Sequence, residues 1–478
     1  MKTASCTRRD FLRAVGVGAA SMAVPGCVGV SGLVSDKASA QRPNIIFILA
    51  DDLGWTELGC YGNTFNETPN LDELVRRGTR FTDAYAAAPV CSPYRAALMT
   101  GQYPARVGIT DYLRPNDENH LSTDHITIAE MLKRAGYTTG IIGKWHLTGY
   151  ANHGAKEFPP SQHGFDEVIV SENRGIGGGS YFHPYHFNKE IEQCLPGKEY
   201  LVDRCNLEAV EFIDRHRDGP FFLYLSHYVV HTRLQGKAEL VAKYERKPGA
   251  GKGNTAPRNN PHLAAQLESI DEGVVMIMNK LDELGLAENT VLIFTGDNGG
   301  EDRVTSNAPL RAGKSTLYEG GIREPLIIRW PKLIKRAGVC NTPTSNIDFY
   351  PTFLQFAGLR ADRHQHLDGV SILPLLKNPR AELGRDTLYW HYPLQKPHFL
   401  GGRSSGALRQ DYWKLIEFFD NAEVELYNLA EDIAEQHNLA NKLPGKVAEL
   451  QERLKAWRGS IGAKVAAGME RSSSSPNK

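Results

Sequence analysis

From Asn44 an uninterrupted apolar run reaches residue 50 and stops at Asp51-Asp52. A second run, 291–295, stops just before Asp297-Asn298, a third, 221–225, precedes His227 and His231, and a shorter fourth, 138–142, precedes Lys144. Runs this short, with no polar alternation, predict strands buried on both faces. Between them apolar positions recur at helical spacing over 71–77, 126–135 (closed by Gly136), 207–215 and 262–284. Strand and helix in alternation predict an α/β fold: a large, mostly parallel sheet covered by helices on both faces. In such sheets ligands collect at the carboxyl ends of the strands, where each of these polar clusters falls.

After about residue 370 the runs shorten (413–417 and 424–427), and one late helical stretch covers 443–457. This predicts a catalytic domain over 41–370, a small α+β subdomain with an antiparallel sheet over 371–469, and a serine-rich solvated tail over 470–478. No internal repeat is evident.

Hydrophobic residues make up 41% of the 478 and charged residues 23%, which excludes disordered, collagen-like and coiled-coil chains. Fifty-five Lys and Arg balance 55 Asp and Glu, so no global charge recruits nucleic acid, and an anionic substrate must be attracted locally. Seven cysteines are too few for a disulfide scaffold, although Cys194 and Cys205 are spaced for one bridge.

The amino terminus changes the cellular picture. Arg8-Arg9 precedes a small and apolar run over 14–24, the layout of a signal peptide, and the paired arginines resemble a twin-arginine export signal. Ala38-Ser39-Ala40 offers a cleavage site, and Val24-Pro25-Gly26-Cys27 loosely resembles a lipoprotein box that would anchor the chain through Cys27. Residues 1–40 are therefore expected to be removed or lipid-anchored, with a periplasmic or extracellular mature protein handled by the twin-arginine machinery.

Asp51, Asp52, Asp297 and Asn298 offer three carboxylates and an amide oxygen from the ends of two strands. Hard oxygen donors of this kind suit Ca²⁺, with Mg²⁺ the second choice. Cys91-Ser92-Pro93-Tyr94-Arg95 opens a helical stretch that Gly101 can close, which puts Cys91 at a helix amino terminus, where backbone N–H groups favour an anion, and Arg95 one turn along. Lys144, His146, His231 and Lys314 add two cations and two imidazoles near strand ends. Together they describe a site for a tetrahedral oxyanion.

Cys91-x-Pro93-x-Arg95 resembles the signature of the formylglycine-dependent sulfatases, and residues 136–146 (GYTTGIIGKWH) are similar to that family's second signature. The likeness spans about residues 42–460. It implies the alkaline-phosphatase-like α/β sandwich, oxidation of Cys91 to formylglycine (3-oxoalanine) by a formylglycine-generating or anaerobic sulfatase-maturating enzyme, and Ca²⁺ on Asp51, Asp52, Asp297, Asn298 and the modified residue 91. It also implies Arg95, Lys144, His146, His231 and Lys314 around the sulfate. Two departures stand out: Tyr94 takes a place where the pattern has Ser, Thr or Ala, and His231 lacks the flanking prolines.

Specificity is expected from loops at the sheet's carboxyl end. Arg174, beside the glycine-rich 175–179, and His183, His391, His398 and Arg403 supply the hydrogen-bonding groups a sugar requires. The 390–393 stretch is expected to fold back and wall the cleft into a pocket for chain ends. The expected activity is exo-acting hydrolysis of a carbohydrate sulfate. The competing readings are a phosphonate monoester or phosphodiester hydrolase of the same superfamily and a catalytically dead glycan-binding relative.

Overall fold

The computed structural model describes residues 42–149, 158–173 and 181–464. The expected export signal, the 470–478 tail, and Arg174 with the glycines that follow it lie outside the described residues.

Nine strands form one sheet: β1 (Asn44–Ala50), β2 (Thr79–Tyr85), β3 (Thr138–Gly143), β4 (Glu167–Ile169), β5 (Phe221–Ser226), β6 (Thr290–Gly296), β7 (Arg323–Arg329), β8 (Gly338–Cys340) and β9 (Thr344–Ser345). Their order is β4-β3-β5-β1-β6-β7-β2-β8, with β9 beside β2, and β7 alone runs against the rest. The four runs expected as buried strands are β1, β3, β5 and β6, adjacent at the centre. Every residue of β1 is buried. Ile45, Phe47 and Leu49 feed the core on one face, and Ile46, Ile48 and Ala50 the core on the other. This two-sided burial is why the strand carries no polar alternation.

Register then sets the site. Ala50 pairs with Gly296, so Asp51 and Asp297 leave the sheet at one level. Gly143 likewise pairs with Ser226, aligning Lys144 with His227. Gly143 has φ 100°, and a Cβ there would lie 2.0 Å from the Ser226 carbonyl oxygen, so this approach requires glycine.

A second sheet of four antiparallel strands, β10 (Thr387–Tyr392), β11 (Ser405–Gln410), β12 (Trp413–Phe418) and β13 (Val424–Asn428), follows in chain order. The Pro444–Ile461 helix packs Leu450 and Leu454 on Leu408, Leu415 and Leu426. The sheets meet through Tyr85, Leu317, Ile322, Trp390 and Ile416, and the Trp390 indole donates to the Ala86 carbonyl at 2.7 Å.

Two expectations are corrected. Residues 390–392 are not a returning loop but the end of β10, because Trp390 and Tyr392 bury their rings between the two sheets. The bridge that the spacing of Cys194 and Cys205 would permit is not formed: Cys205 is buried within the Leu201–Arg215 helix, and the Cys194 N–H is held by Glu199. Among the described residues no helix is long and apolar enough to cross a membrane.

Candidate active site

The helix Cys91–Thr100 is buried along its whole length and closes on Gly101 at φ 67°. Its first residue, Cys91, places Sγ 3.4 Å from Asp51 Oδ1 and 4.0 Å from Asp52 Oδ1. Burial and the Asp51 carboxylate push the thiol well above its ordinary range. Arg95, one turn on and fully buried, donates to the Lys144 carbonyl at 2.9 Å, to Ser226 Oγ at 2.6 Å and to Asp297 Oδ2 at 2.9 Å. The Arg95 guanidinium thereby ties three strand ends to the Cys91 helix.

Ligand atoms of Asp51, Asp52, Cys91 and Asp297 lie within 4.8 Å of one another. The Asp52 N–H donates to Asp297 Oδ1 at 3.0 Å, and Asn298 Nδ2 donates to Asp52 Oδ1 at 2.8 Å. That leaves Asn298 Oδ1 buried with no hydrogen-bond partner. A buried oxygen without a partner beside three carboxylates is what a hard cation would satisfy, so the residues fit a divalent metal.

Positive charge surrounds this cluster. Lys144 Nζ pairs with Asp51 Oδ2, and Lys314 Nζ lies 2.7 Å from Asp52 Oδ2. Burial alone would raise the Asp51 carboxyl, but Lys144, His231, Arg95 and Lys314 outweigh it and hold the group well below its usual range. Burial and the neighbouring Asp51 charge push Asp297 upward.

His231 Nε2 stands 3.7 Å from Asp52 Oδ2 with 26% of the side chain exposed, while Nδ1 lies 2.5 Å from the Thr232 carbonyl. Burial and Lys314 lower its pKa. His146 is buried, with Nε2 2.9 Å from the Leu113 carbonyl, and burial with the Lys144 and Arg95 charges holds its imidazole well below the ordinary range. Cys91, Arg95, Lys144, His231 and Lys314 thus gather around Asp51, Asp52, Asp297 and Asn298, whereas the His146 ring turns to the Leu113 carbonyl.

The sugar-binding candidates divide. His398 lies beside the site: its N–H donates to the Gly402 carbonyl, Gly402 packs on Ser315 next to Lys314, and its ring meets Tyr112 at 5.5 Å. The others are engaged elsewhere. His183 Nε2 is 3.1 Å from the Ile191 carbonyl of its own loop. His391 sits against Phe419 with Nε2 2.9 Å from the Lys464 carbonyl, because its place on β10 turns it into the second sheet. Arg403 pairs with Asp420 and Glu423 and lies over the Phe418 ring.

Sequence reasoning missed Glu172. Its carboxylate accepts from the N–H groups of Trp145 and His146 and from the Tyr228 hydroxyl at 2.9 Å. Tyr181 in turn donates from its hydroxyl to the Tyr228 and His231 carbonyls. Glu172 therefore bridges the loop carrying Lys144 and His146 to the loop carrying His231.

Residues 43–359 match the family model described as Sulfatase, and residues 312–459 match the carboxy-terminal model of N-sulphoglucosamine sulphohydrolase. Steryl-sulfatase from Homo sapiens is 32% identical over 443 residues, spanning 75% of this chain and 73% of that protein. N-acetylgalactosamine-6-sulfatase from Homo sapiens is 33% identical over 417 residues, spanning 80% and 74%. A crystal structure of Ps i-CgsB in complex with k-i-k-neocarrahexaose is 31% identical with a TM-score of 0.74, covering 87% of this chain and 93% of that one.

Proposed function

The chain belongs to the sulfatase family and is a sulfuric ester hydrolase; from that premise we propose that it removes sulfate from a sulfated carbohydrate, with a formylglycine made from Cys91 and a Ca²⁺ held by Asp51, Asp52, Asp297 and Asn298. The observation that carries this reading is the placement of Cys91 Sγ, 3.4 Å from Asp51, inside one ring of carboxylates and cations. The hydrated aldehyde would supply two hydroxyls on one carbon, a nucleophile together with a second ionisable group, and the cation would supply positive charge toward the sulfate oxygens.

The chain's own groups do the rest. Sulfate esters resist attack because their charged oxygens repel a nucleophile. Arg95, Lys144 and Lys314 offset that charge as it shifts toward the bridging oxygen. Asp297, within the same 4.8 Å cluster as residue 91, is placed to accept a proton from that residue. His231, partly exposed beside Asp52, is the group that returns a proton to the departing oxygen. His146 is held on the Leu113 carbonyl and serves to orient.

A carbohydrate substrate is favoured by His398 at the cleft and by two relatives whose names carry sugars. Steryl-sulfatase marks the rival class. Arg8-Arg9 and the following apolar run support export through the twin-arginine machinery, with a formylglycine-generating or anaerobic maturating enzyme as a second partner.

Two experiments decide. Mass spectrometry of the peptide containing residue 91, from active enzyme, should show the thiol replaced by an aldehyde; an unmodified cysteine there overturns the reading. Purified enzyme offered sulfated sugars, a steryl sulfate, a phosphate diester and a phosphonate ester should prefer the sugars. Preference for a phosphorus ester would place it with the phosphonate hydrolases, and sugar binding without turnover would mark a dead relative.

A further inference from the structure

Phe399 is 67% exposed. A lone exposed apolar side chain is ordinary on a protein surface, but this one stands where three elements of the site converge. The tight loop that carries it is closed by the His398 N–H donating to the Gly402 carbonyl at 2.7 Å and the Gly401 N–H to the His398 carbonyl at 2.8 Å. Gly402 is packed so closely on the backbone of Ser315 that a Cβ would lie 1.9 Å from the Ser315 carbonyl oxygen. Ser315 follows Lys314, so the loop is pinned beside the lysine that faces Asp52.

From the other side, the Arg303 guanidinium lies 5.3 Å from the Phe399 ring centroid, and Arg303 pairs with Glu301 at 2.5 Å. Glu301 accepts from the Thr232 hydroxyl at 2.9 Å, next to His231. His398 stacks on Phe399 at 4.4 Å and keeps a buried Nε2 with no hydrogen-bond partner.

We infer that Phe399 is a specificity-determining residue whose ring stacks on a sugar of the leaving group, with the exposed Arg303 guanidinium as the adjoining hydrogen-bonding group. The inference rests on the carbohydrate reading above. Exposed over about two thirds of its surface, the ring offers an apolar patch to the C–H face of a pyranose, while the sugar hydroxyls meet the neighbouring guanidinium. Sequence pattern gave no hint of it, because exposure of one aromatic in a loop carries no periodicity.

The test uses the full chain carrying Cys91→Ala, so that binding is read without turnover, with calorimetric titration of a carrageenan hexasaccharide, N-acetylgalactosamine 6-sulfate and inorganic sulfate. Adding Phe399→Ala should weaken whichever sugar sulfate binds by about tenfold and change inorganic sulfate far less, and Phe399→Trp should restore it. In the Cys91 enzyme, Phe399→Ala should raise KM for that sugar more than it lowers kcat. Unchanged sugar affinity, or an equal loss for inorganic sulfate, overturns the stacking role. If the parent protein binds none of the sugars yet hydrolyses a steryl sulfate, the carbohydrate reading falls, and the inference with it.

Discussion

Lys414 on β12 lies 2.8 Å from Glu319, which precedes β7, with neither side chain exposed. The same ammonium lies 2.8 Å from Glu435, so one lysine joins two buried carboxylates across the seam between the sheets. Arg323 also pairs with Glu319 at 3.1 Å. Lys414→Met should therefore cost about 3–5 kcal/mol of stability, measured by urea unfolding, because it leaves buried charge uncompensated. A triple variant that adds Glu319→Gln and Glu435→Gln should recover most of that loss.

The same cluster predicts a pH dependence. Burial raises the Glu435 carboxyl to about 7, against the pull of Lys414, while Lys414, Arg323 and Arg409 overcome burial and lower Glu319 to about 2. An unfolded glutamate titrates near about 4.3. Between that value and about 7 the folded chain holds the Glu435 proton that the unfolded chain has released, so this group's contribution to stability falls as pH rises. Glu319 acts in the opposite sense: its contribution is complete above the unfolded value and is lost as pH drops toward 2. Glu435→Gln should remove the first slope from a profile of Tm against pH and keep the second.

Glu172 is a positioning residue. Glu172→Gln should lower kcat by about 10–100-fold with a smaller change in KM, since the loops of Lys144, His146 and His231 lose their common anchor. Equal stability with unchanged kcat would make the bridge incidental.

Lys314→Ala should damage the chemical step more than substrate binding, by about 100–1,000-fold in kcat, if its charge is most useful where negative charge builds on the bridging oxygen. A change confined to KM would contradict that role.

Removing divalent cations with a chelator, or making Asp52→Ala, should abolish turnover while far-UV circular dichroism stays that of the parent. Full activity in metal-free enzyme would contradict the assignment.

The central strands were legible because burial on both faces writes a continuous apolar run, and each run ended at the polar residues that build the site. β7 escaped because Arg323 and Glu324 make its start look polar, although both are buried and Arg323 is paired with Asp83 at 3.0 Å. β10 was misread for a related reason: His391 and Tyr392 suggested loop chemistry but are buried on a strand. Glu172 left no signature at all. Two of its partners are backbone N–H groups, which every residue but proline has, so no sequence pattern marks the acceptor.

Cys91, Pro93, Tyr94 and Arg95 are all buried, in a helix with no face open to solvent. Burial of the whole motif imposes an order in time. An enzyme that oxidised Cys91 would have to grip this stretch while it is still an open chain, so the proposed conversion would have to precede docking of the helix. If export then follows the twin-arginine route, which accepts finished folds, the chemistry at this one residue is completed on the cytoplasmic side, and a chain that folds too early is sealed in its unconverted form.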